Sequence, residues 1–158
     1  MIAAAVLTVS DRSAAGARPD SAGPVAVGAL REAGFDCADA MIVPDGADAV
    51  ERALRELLGT GIRLIVTSGG TGISPRDETP EGTARVIERQ LPGIAEELRR
   101  AGLASTPASM LTRGLAGVAG DALIVNLPGS PKAVAEGMPI VLSVATHVLS
   151  QLHGEDHR

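Results

Sequence analysis

Apolar positions along this chain fall into two alternating kinds of segment: short continuous runs, and longer stretches that are apolar on one face only. Residues 2–9 and 62–67 are apolar almost throughout, which predicts strands covered on both faces of a sheet. Residues 37–43 form a further strand candidate. Residues 47–58 instead carry Val50, Ala53, Leu54, Leu57 and Leu58 at helical spacing, and Gly59 and Gly61 follow as stops. Residues 24–33 predict another helix, with Pro24 in its first turn and Gly34 as its end.

After the third strand, residues 68–79 are polar and Gly-rich and predict a loop. Thr79 as cap, Pro80 at the first helical position and Glu81 near the positive end predict a helix beyond it. A short helix over 93–101 and a polar connection over 104–112 follow. Residues 114–118 and 122–126 flank the turn Ala119-Gly120-Asp121 and predict a hairpin. Two final helices are predicted over 131–137 and 139–153, with a frayed tail at 154–158. Strands alternating with helices imply parallel βαβ units. The expected fold is therefore α/β: a single-domain three-layer sandwich over residues 1–153, with a mostly parallel sheet and an antiparallel hairpin.

Composition narrows the chemistry. With 158 residues the chain has the size of one domain that buries enough surface to need no staples. Its single cysteine, Cys37, excludes an internal disulfide framework and a cysteine-rich zinc site, and reads as a small core residue. A net charge of −5 disfavours nucleic acid as a partner, and means that an anionic ligand must be held locally by amides, a few basic side chains or a metal ion. There is no Trp or Tyr and only one Phe, Phe35, so a flat heterocycle cannot rely on aromatic stacking. The N-terminal run lacks a basic region and reads as a first strand, not a signal peptide. The late apolar stretch over 138–152 is short for a bilayer and contains Pro139 and His147, so no membrane role and a cytoplasmic location are expected.

Ligands of open α/β sheets bind beyond the carboxyl ends of the strands. Four segments would share that rim: Val9-Ser10-Asp11-Arg12, Val43-Pro44-Asp45-Gly46, Thr67-Ser68-Gly69-Gly70-Thr71-Gly72 and Asn126-Leu127-Pro128-Gly129-Ser130-Pro131. Ser68 to Gly72 read either as a tight turn or as an anion cradle whose glycines let amides point inward. The loop is neither a P-loop, for want of a Gly-Lys-Ser/Thr, nor a good dinucleotide fingerprint, because Pro75 stands where the third glycine belongs. Asp45 and Asp77 are turn residues or, since both follow strand ends, carboxylates that meet across a crevice. Two carboxylates beside phosphates suit Mg²⁺. A helix N-terminus contributes only about 0.3–1 kcal/mol to an exposed anion, too little for a triphosphate next to two aspartates, whereas Mg²⁺ supplies the missing charge.

The remaining candidates are individually ambiguous. Ser130-Pro131-Lys132 reads as a phosphate-binding helix start or as a cap with a solvated lysine. Asn126 offers a donor and an acceptor to the edge of a base or other flat heterocycle. Ser109 and Arg113 reach a ligand or solvent. His147, His153 and His157 do not form a metal pattern, and Ser10-Asp11 lacks a matched histidine for a catalytic triad. Glu96-Glu97 and Arg99-Arg100 read as a solvated helix face.

Leu7-Thr8-Val9-Ser10-Asp11-Arg12, Thr67 to Gly72, Arg76-Asp77-Glu78-Thr79-Pro80-Glu81 and Asn126 to Lys132 together resemble the MoaB/MogA family of molybdopterin adenylyltransferases, over nearly the whole chain. The resemblance implies transfer of AMP from ATP to the terminal phosphate of molybdopterin, with Mg²⁺ assisting and pyrophosphate leaving. By similarity, Asp45 and Asp77 stand at the reaction centre and hold the metal. Ser68, Gly69, Gly70, Thr71 and Gly72 match the ligand-cradling loop. Ser10, Asp11, Ser109, Arg113, Asn126, Pro128, Gly129, Ser130 and Lys132 match other parts of the substrate pocket. A homotrimer, or a hexamer, and hand-over to a molybdenum-insertion protein are implied as well. Asp20-Ser21-Ala22-Gly23 departs from the family's Asp-x-Ser-Gly by one place. The competing expectations are a non-catalytic pterin-binding or carrier module on the same fold, and a generic nucleotide hydrolase.

Overall fold

A computed structural model, which describes residues 1–154, turns the apolar runs into one seven-stranded mixed sheet between two helical layers. The strands are β1 (Ala3–Val9), β2 (Asp36–Cys37), β3 (Met41–Val43), β4 (Leu64–Ser68), β5 (Arg89–Gln90), β6 (Ala116–Ala119) and β7 (Ala122–Leu127). The helices are α1 (Asp11–Ala14), α2 (Ala22–Glu32), α3 (Ala47–Gly59), α4 (Thr79–Ala84), α5 (Pro92–Gly102) and α6 (Pro131–Leu152). The spatial order is β2-β1-β4-β7-β6-β5, and β3 pairs with β1 beyond the end of β2. β1, β2, β3, β4 and β7 run parallel, while β6 is antiparallel to β7 and β5 to β6.

The continuous hydrophobicity of the strands follows from their two covered faces. Val6, Leu64, Val66, Leu123 and Val125 pack on Val27 and Leu30 of α2 and on Val134, Met138 and Val141 of α6. Their neighbours Leu7, Val9, Ile65 and Ile124 point the other way, onto Val50, Leu54 and Leu57 of α3. Such two-sided burial is what a parallel sheet with crossover helices requires.

Several elements differ from the sequence expectation. The strand expected over 37–43 is split into β2 and β3. Arg31 Nε takes the Cys37 carbonyl at 2.8 Å and its Nη2 reaches Asp39 at 3.2 Å, so a side chain occupies an acceptor that a continuous ladder would use. The two helices expected over 131–153 are one, α6, which continues through Pro139. Pro139 and Ala135, whose carbonyl loses its usual donor, both lie on the exposed face, where solvent replaces the missing bond. This makes α6 long and apolar enough, by length and composition, to cross a membrane, unlike the shorter run anticipated. Yet Val134, Met138, Val141, Ala145 and Leu149 bury one face of it in the core. At α4 the N-cap is Glu78, not Thr79. The connection over 104–112 contains a 3₁₀ turn, Pro107–Leu111, capped by the Thr106 hydroxyl. Beyond Gly154, the expected tail lies outside the described residues.

Candidate functional site

The parallel registers pair Val9 with Val43, Thr8 with Ser68, and Ser68 with Leu127, so the carboxyl ends of β1, β3, β4 and β7 form one rim. A cleft of about 340 Å³ opens there, and Ser10, Asp45, Ser68, Gly69, Gly70, Asp77, Gly129 and Ser130 all line it. Arg18, Asp20 and Ser21, from the approach to α2, complete the opposite wall.

The loop after β4 is built around two left-handed glycines, Gly69 at φ 100° and Gly70 at φ 67°. A Cβ on Gly69 would lie 2.2 Å from the Val9 carbonyl oxygen, so only glycine lets this loop cross the end of β1. The loop is docked on the one after β7: Gly69 N donates to Leu127 O at 3.0 Å and Ser68 Oγ to Pro128 O at 3.2 Å. Gly129 sits so close that a Cβ there would be 3.3 Å from Gly69 Cα. The Gly69 amide is thereby committed within the protein and cannot serve in an anion cradle.

Thr71 and Gly72 are not among the residues that line the cleft, and their carbonyls are held by Arg113. Its amide donates to Thr71 O and its Nε to Gly72 O, both at 2.8 Å, and its Nη2 to Asp77 O at 2.7 Å. Its Nη1 pairs with Glu81 at 2.6 Å. Arg113 therefore fixes the loop that carries Asp77 and does not project into the cleft.

The acidic groups form a connected set. Asp11 N donates to Asp45 Oδ2 at 3.0 Å, and Asp45 N returns the bond to Asp11 Oδ1 at 3.1 Å. Arg76 grips both oxygens of Asp11 at 3.0 Å and takes the Asp45 carbonyl at 2.9 Å. This guanidinium holds the Asp11 carboxyl below the usual range. Asp45 moves the other way: burial, joined by the negative charges of Asp11 and Asp77, pushes its carboxyl above the usual range. Asp77 Oδ2 accepts the Ser74 amide at 3.1 Å. Among the described residues no three acidic, histidine or cysteine side chains cluster closely enough to hold a metal ion by themselves.

The other predicted residues divide. Ser10 and Ser130 are both N-caps, accepting from Ser13 N at 3.2 Å and Ala133 N at 3.1 Å, and both line the cleft. Lys132 is exposed on the first turn of α6 and is not part of the cleft wall. Ser109 donates to Arg99 O at 2.7 Å and lines a second cavity of about 260 Å³, between α5, the 3₁₀ turn and α6. Ser130 borders both cavities.

Asn126 corrects an expectation. Its side chain does not offer an edge to a heterocycle: Nδ2 donates to Thr67 Oγ1 at 2.9 Å and Thr83 Oγ1 at 3.0 Å, and Oδ1 accepts Leu115 N at 3.0 Å. Its position on the central strand β7 leaves it 3 % exposed, so every polar atom must find a partner inside. Asn126→Leu is expected to cost about 2–3 kcal/mol, the scale of buried donors left unpaired. Urea unfolding measures the loss, and an unchanged midpoint would contradict this role.

Sequence reasoning missed three contributors. Asp20, not Ser21, supplies the side-chain cap of α2, accepting Gly23 N at 2.9 Å and the Thr8 hydroxyl at 2.7 Å. The three-residue spacing of Asp20 and Gly23 carries that signal. Arg76 joins the Asp11 and Asp45 loops across long sequence separations, which nothing local announces. Thr79 is fully buried and its hydroxyl has no partner among the described residues, whereas its sequence position read as a cap.

Comparison with known proteins bears on this site. The family described as "Probable molybdopterin binding domain" matches residues 5–147. A molybdenum cofactor biosynthesis bifunctional protein of Chlorobaculum tepidum is 37 % identical over 97 % of the chain. The chain spans about half of that relative, 49 % of its length. A molybdopterin adenylyltransferase of Haemophilus influenzae is 35 % identical, over 91 % of this chain and 75 % of that one. The solved molybdopterin biosynthesis Mog protein of Mycobacterium ulcerans superposes with a TM-score of 0.91 at 43 % identity, covering 96 % of this chain and 99 % of the other.

Proposed function

Because this chain belongs to the molybdopterin-binding domain family of molybdenum cofactor biosynthesis, we propose that it transfers AMP from ATP to the terminal phosphate of molybdopterin. The observation that carries the reading is one cleft walled by both Asp45 and Asp77 and bordered by the Ser130 start of α6. An acidic pair beside a helix N-terminus is a poor place for a polyanion alone and a good one for a polyanion that arrives with a cation. The relatives named as adenylyltransferases supply the substrates.

The chemistry needs no side-chain nucleophile, since the attacking group is the phosphate of the pterin. Its oxygen forms a bond to the α-phosphorus of ATP, the bond to the bridging oxygen breaks, and pyrophosphate carries that electron pair away. The protein aligns two anions and offsets their repulsion. Mg²⁺, held by Asp45 and Asp77, supplies positive charge and polarises the phosphoryl group when bound. The donor set fits such an ion: two carboxylates face the cleft, with room for waters and phosphate oxygens to complete the shell. Arg76 neutralises Asp11, which keeps a third negative charge out of the balance. Arg113 fixes the Asp77 backbone, so that carboxylate is presented by a rigid loop.

The resemblance adds a homotrimeric or hexameric assembly, a cytoplasmic location and hand-over of the adenylylated product to a molybdenum-insertion protein. Pyrophosphate release, measured with ATP and Mg²⁺ in the presence and absence of molybdopterin, tests the reading. Release that requires both substrates is the expected result. Pterin binding without release would favour a carrier module, and release of phosphate without pterin a hydrolase.

A further inference from the structure

We infer that Thr79 is a positioning residue for the divalent cation at Asp45 and Asp77, its hydroxyl accepting a hydrogen bond from a water of the bound ion. This rests on the adenylyl-transfer reading only through the presence of that ion. Thr79 is 0 % exposed, and its Oγ1 is the one buried side-chain polar atom without a partner among the described residues. Native proteins rarely leave a buried hydroxyl unpaired, because it loses its bonds to water and gains none. Two neighbouring buried threonines, Thr67 and Thr83, both bond to Asn126, so this region satisfies hydroxyls where it can.

The backbone explains why Thr79 has no internal solution. A threonine inside a helix can bond the carbonyl four residues back. Thr79 is the first residue of α4, and the residue four back, Pro75, lies outside the helix. Its own amide is tied to Gly70 O at 3.1 Å, which places the side chain beside Gly70. A Cβ on Gly70 would stand 2.2 Å from Thr79 Oγ1 and 3.1 Å from Asp45 Oδ1. The hydroxyl and the carboxylate thus flank the same face of Gly70, a residue of the cleft wall. Mg²⁺ keeps several of its waters when two carboxylates hold it, and those waters need acceptors around the site. The partner missing within the chain is of the kind that a hydrated cation brings.

Mn²⁺ binding to the full chain, read by the electron paramagnetic resonance of the free ion without nucleotide, tests this. Thr79→Val keeps the shape and removes the hydroxyl. It is expected to weaken Mn²⁺ binding by about 10- to 100-fold, the usual effect of losing an outer-sphere partner. Thr79→Ser is expected to restore it. Since no internal hydrogen bond is lost, the metal-free Thr79→Val protein is expected to melt no lower than the parent. Equal Mn²⁺ affinity in parent and Thr79→Val, or a lower melting temperature of the metal-free variant, would overturn the inference and leave adenylyl transfer standing. Asp45→Asn is the control for the site itself. If it binds Mn²⁺ as tightly as the parent, or if the parent binds none, the carboxylate site fails and this inference with it.

Discussion

Asp45→Ala and Asp77→Ala are each expected to lower pterin-dependent pyrophosphate release by at least roughly 10²-fold, the scale of losing one preorganised electrostatic group. Both carboxylates face the cleft where two polyanions must meet, and the third acidic side chain that lines it, Asp20, is held by the Thr8 hydroxyl and the Gly23 amide. Asp11, which exchanges hydrogen bonds with Asp45, is bound through both oxygens by Arg76. Turnover close to the parent's in both variants would remove the proposed roles. A loss of kcat with little change in the KM for ATP would fit a group that acts mainly in the transition state.

Asp45→Asn separates function from folding. Burial raises the Asp45 carboxyl, so the folded chain holds that proton more firmly than the unfolded one. The folded state then binds more protons between the ordinary carboxylate value and the raised one, and stability falls as pH rises through that window. Above it the ionised group is a standing penalty. Asparagine removes the charge and still accepts the Asp11 amide that Asp45 Oδ2 accepts now. The variant is therefore expected to melt higher than the parent at neutral pH, with the gain fading below the ordinary carboxylate range, while transfer is lost. Thermal melts across pH show the sign, and a lower midpoint at pH 7 would contradict it.

Gly69→Ala is expected to destabilise the chain by about 3 kcal/mol or more, from a strained φ together with a backbone clash. At φ 100° an L-residue is disfavoured in any surroundings, and here the added methyl would meet the Val9 carbonyl at 2.2 Å. That carbonyl lies at the end of the inner strand β1, where Val9 pairs with Val43 of β3, and cannot retreat without disturbing that pairing. A shift of about 6–12 °C in the melting temperature corresponds to that energy for a domain of this size. Even folded protein should lose affinity for ATP, since the displaced loop forms the cleft wall. A variant with parental melting and binding would show that the loop tolerates a side chain.

The legible part of the site was its backbone. Val9-Ser10, Val43-Pro44-Asp45, Ser68-Gly69 and Leu127-Pro128 each follow an apolar run, and parallel strands joined by crossover helices bring all such ends to one rim. Whether Arg113 and Asn126 faced a ligand was not legible in the same way. Arg113 stands in a polar connection, yet its donors close on Gly72, Asp77 and Glu81. Asn126 stands at a strand end, yet its amide is buried between Thr67, Thr83 and Leu115. The break in the strand over 37–43 was hidden for a similar reason, because Arg31 reaches it from α2.

The amino-acid sequence by itself determined the layers of this protein, the direction of its strands and the edge on which its polar loops gather. Those properties follow from the period of apolar positions and the handedness of crossovers, which are local and act on every residue of a run. Only the tertiary structure decided which polar groups neutralise one another and which remain for a ligand. Arg76 and Asp11 are 65 positions apart and meet through space, and Thr79 and Asp45, also remote in sequence, both flank Gly70. A hydrogen bond depends on distances of a few tenths of an ångström between such remote atoms, and no pattern of neighbours along the chain encodes them.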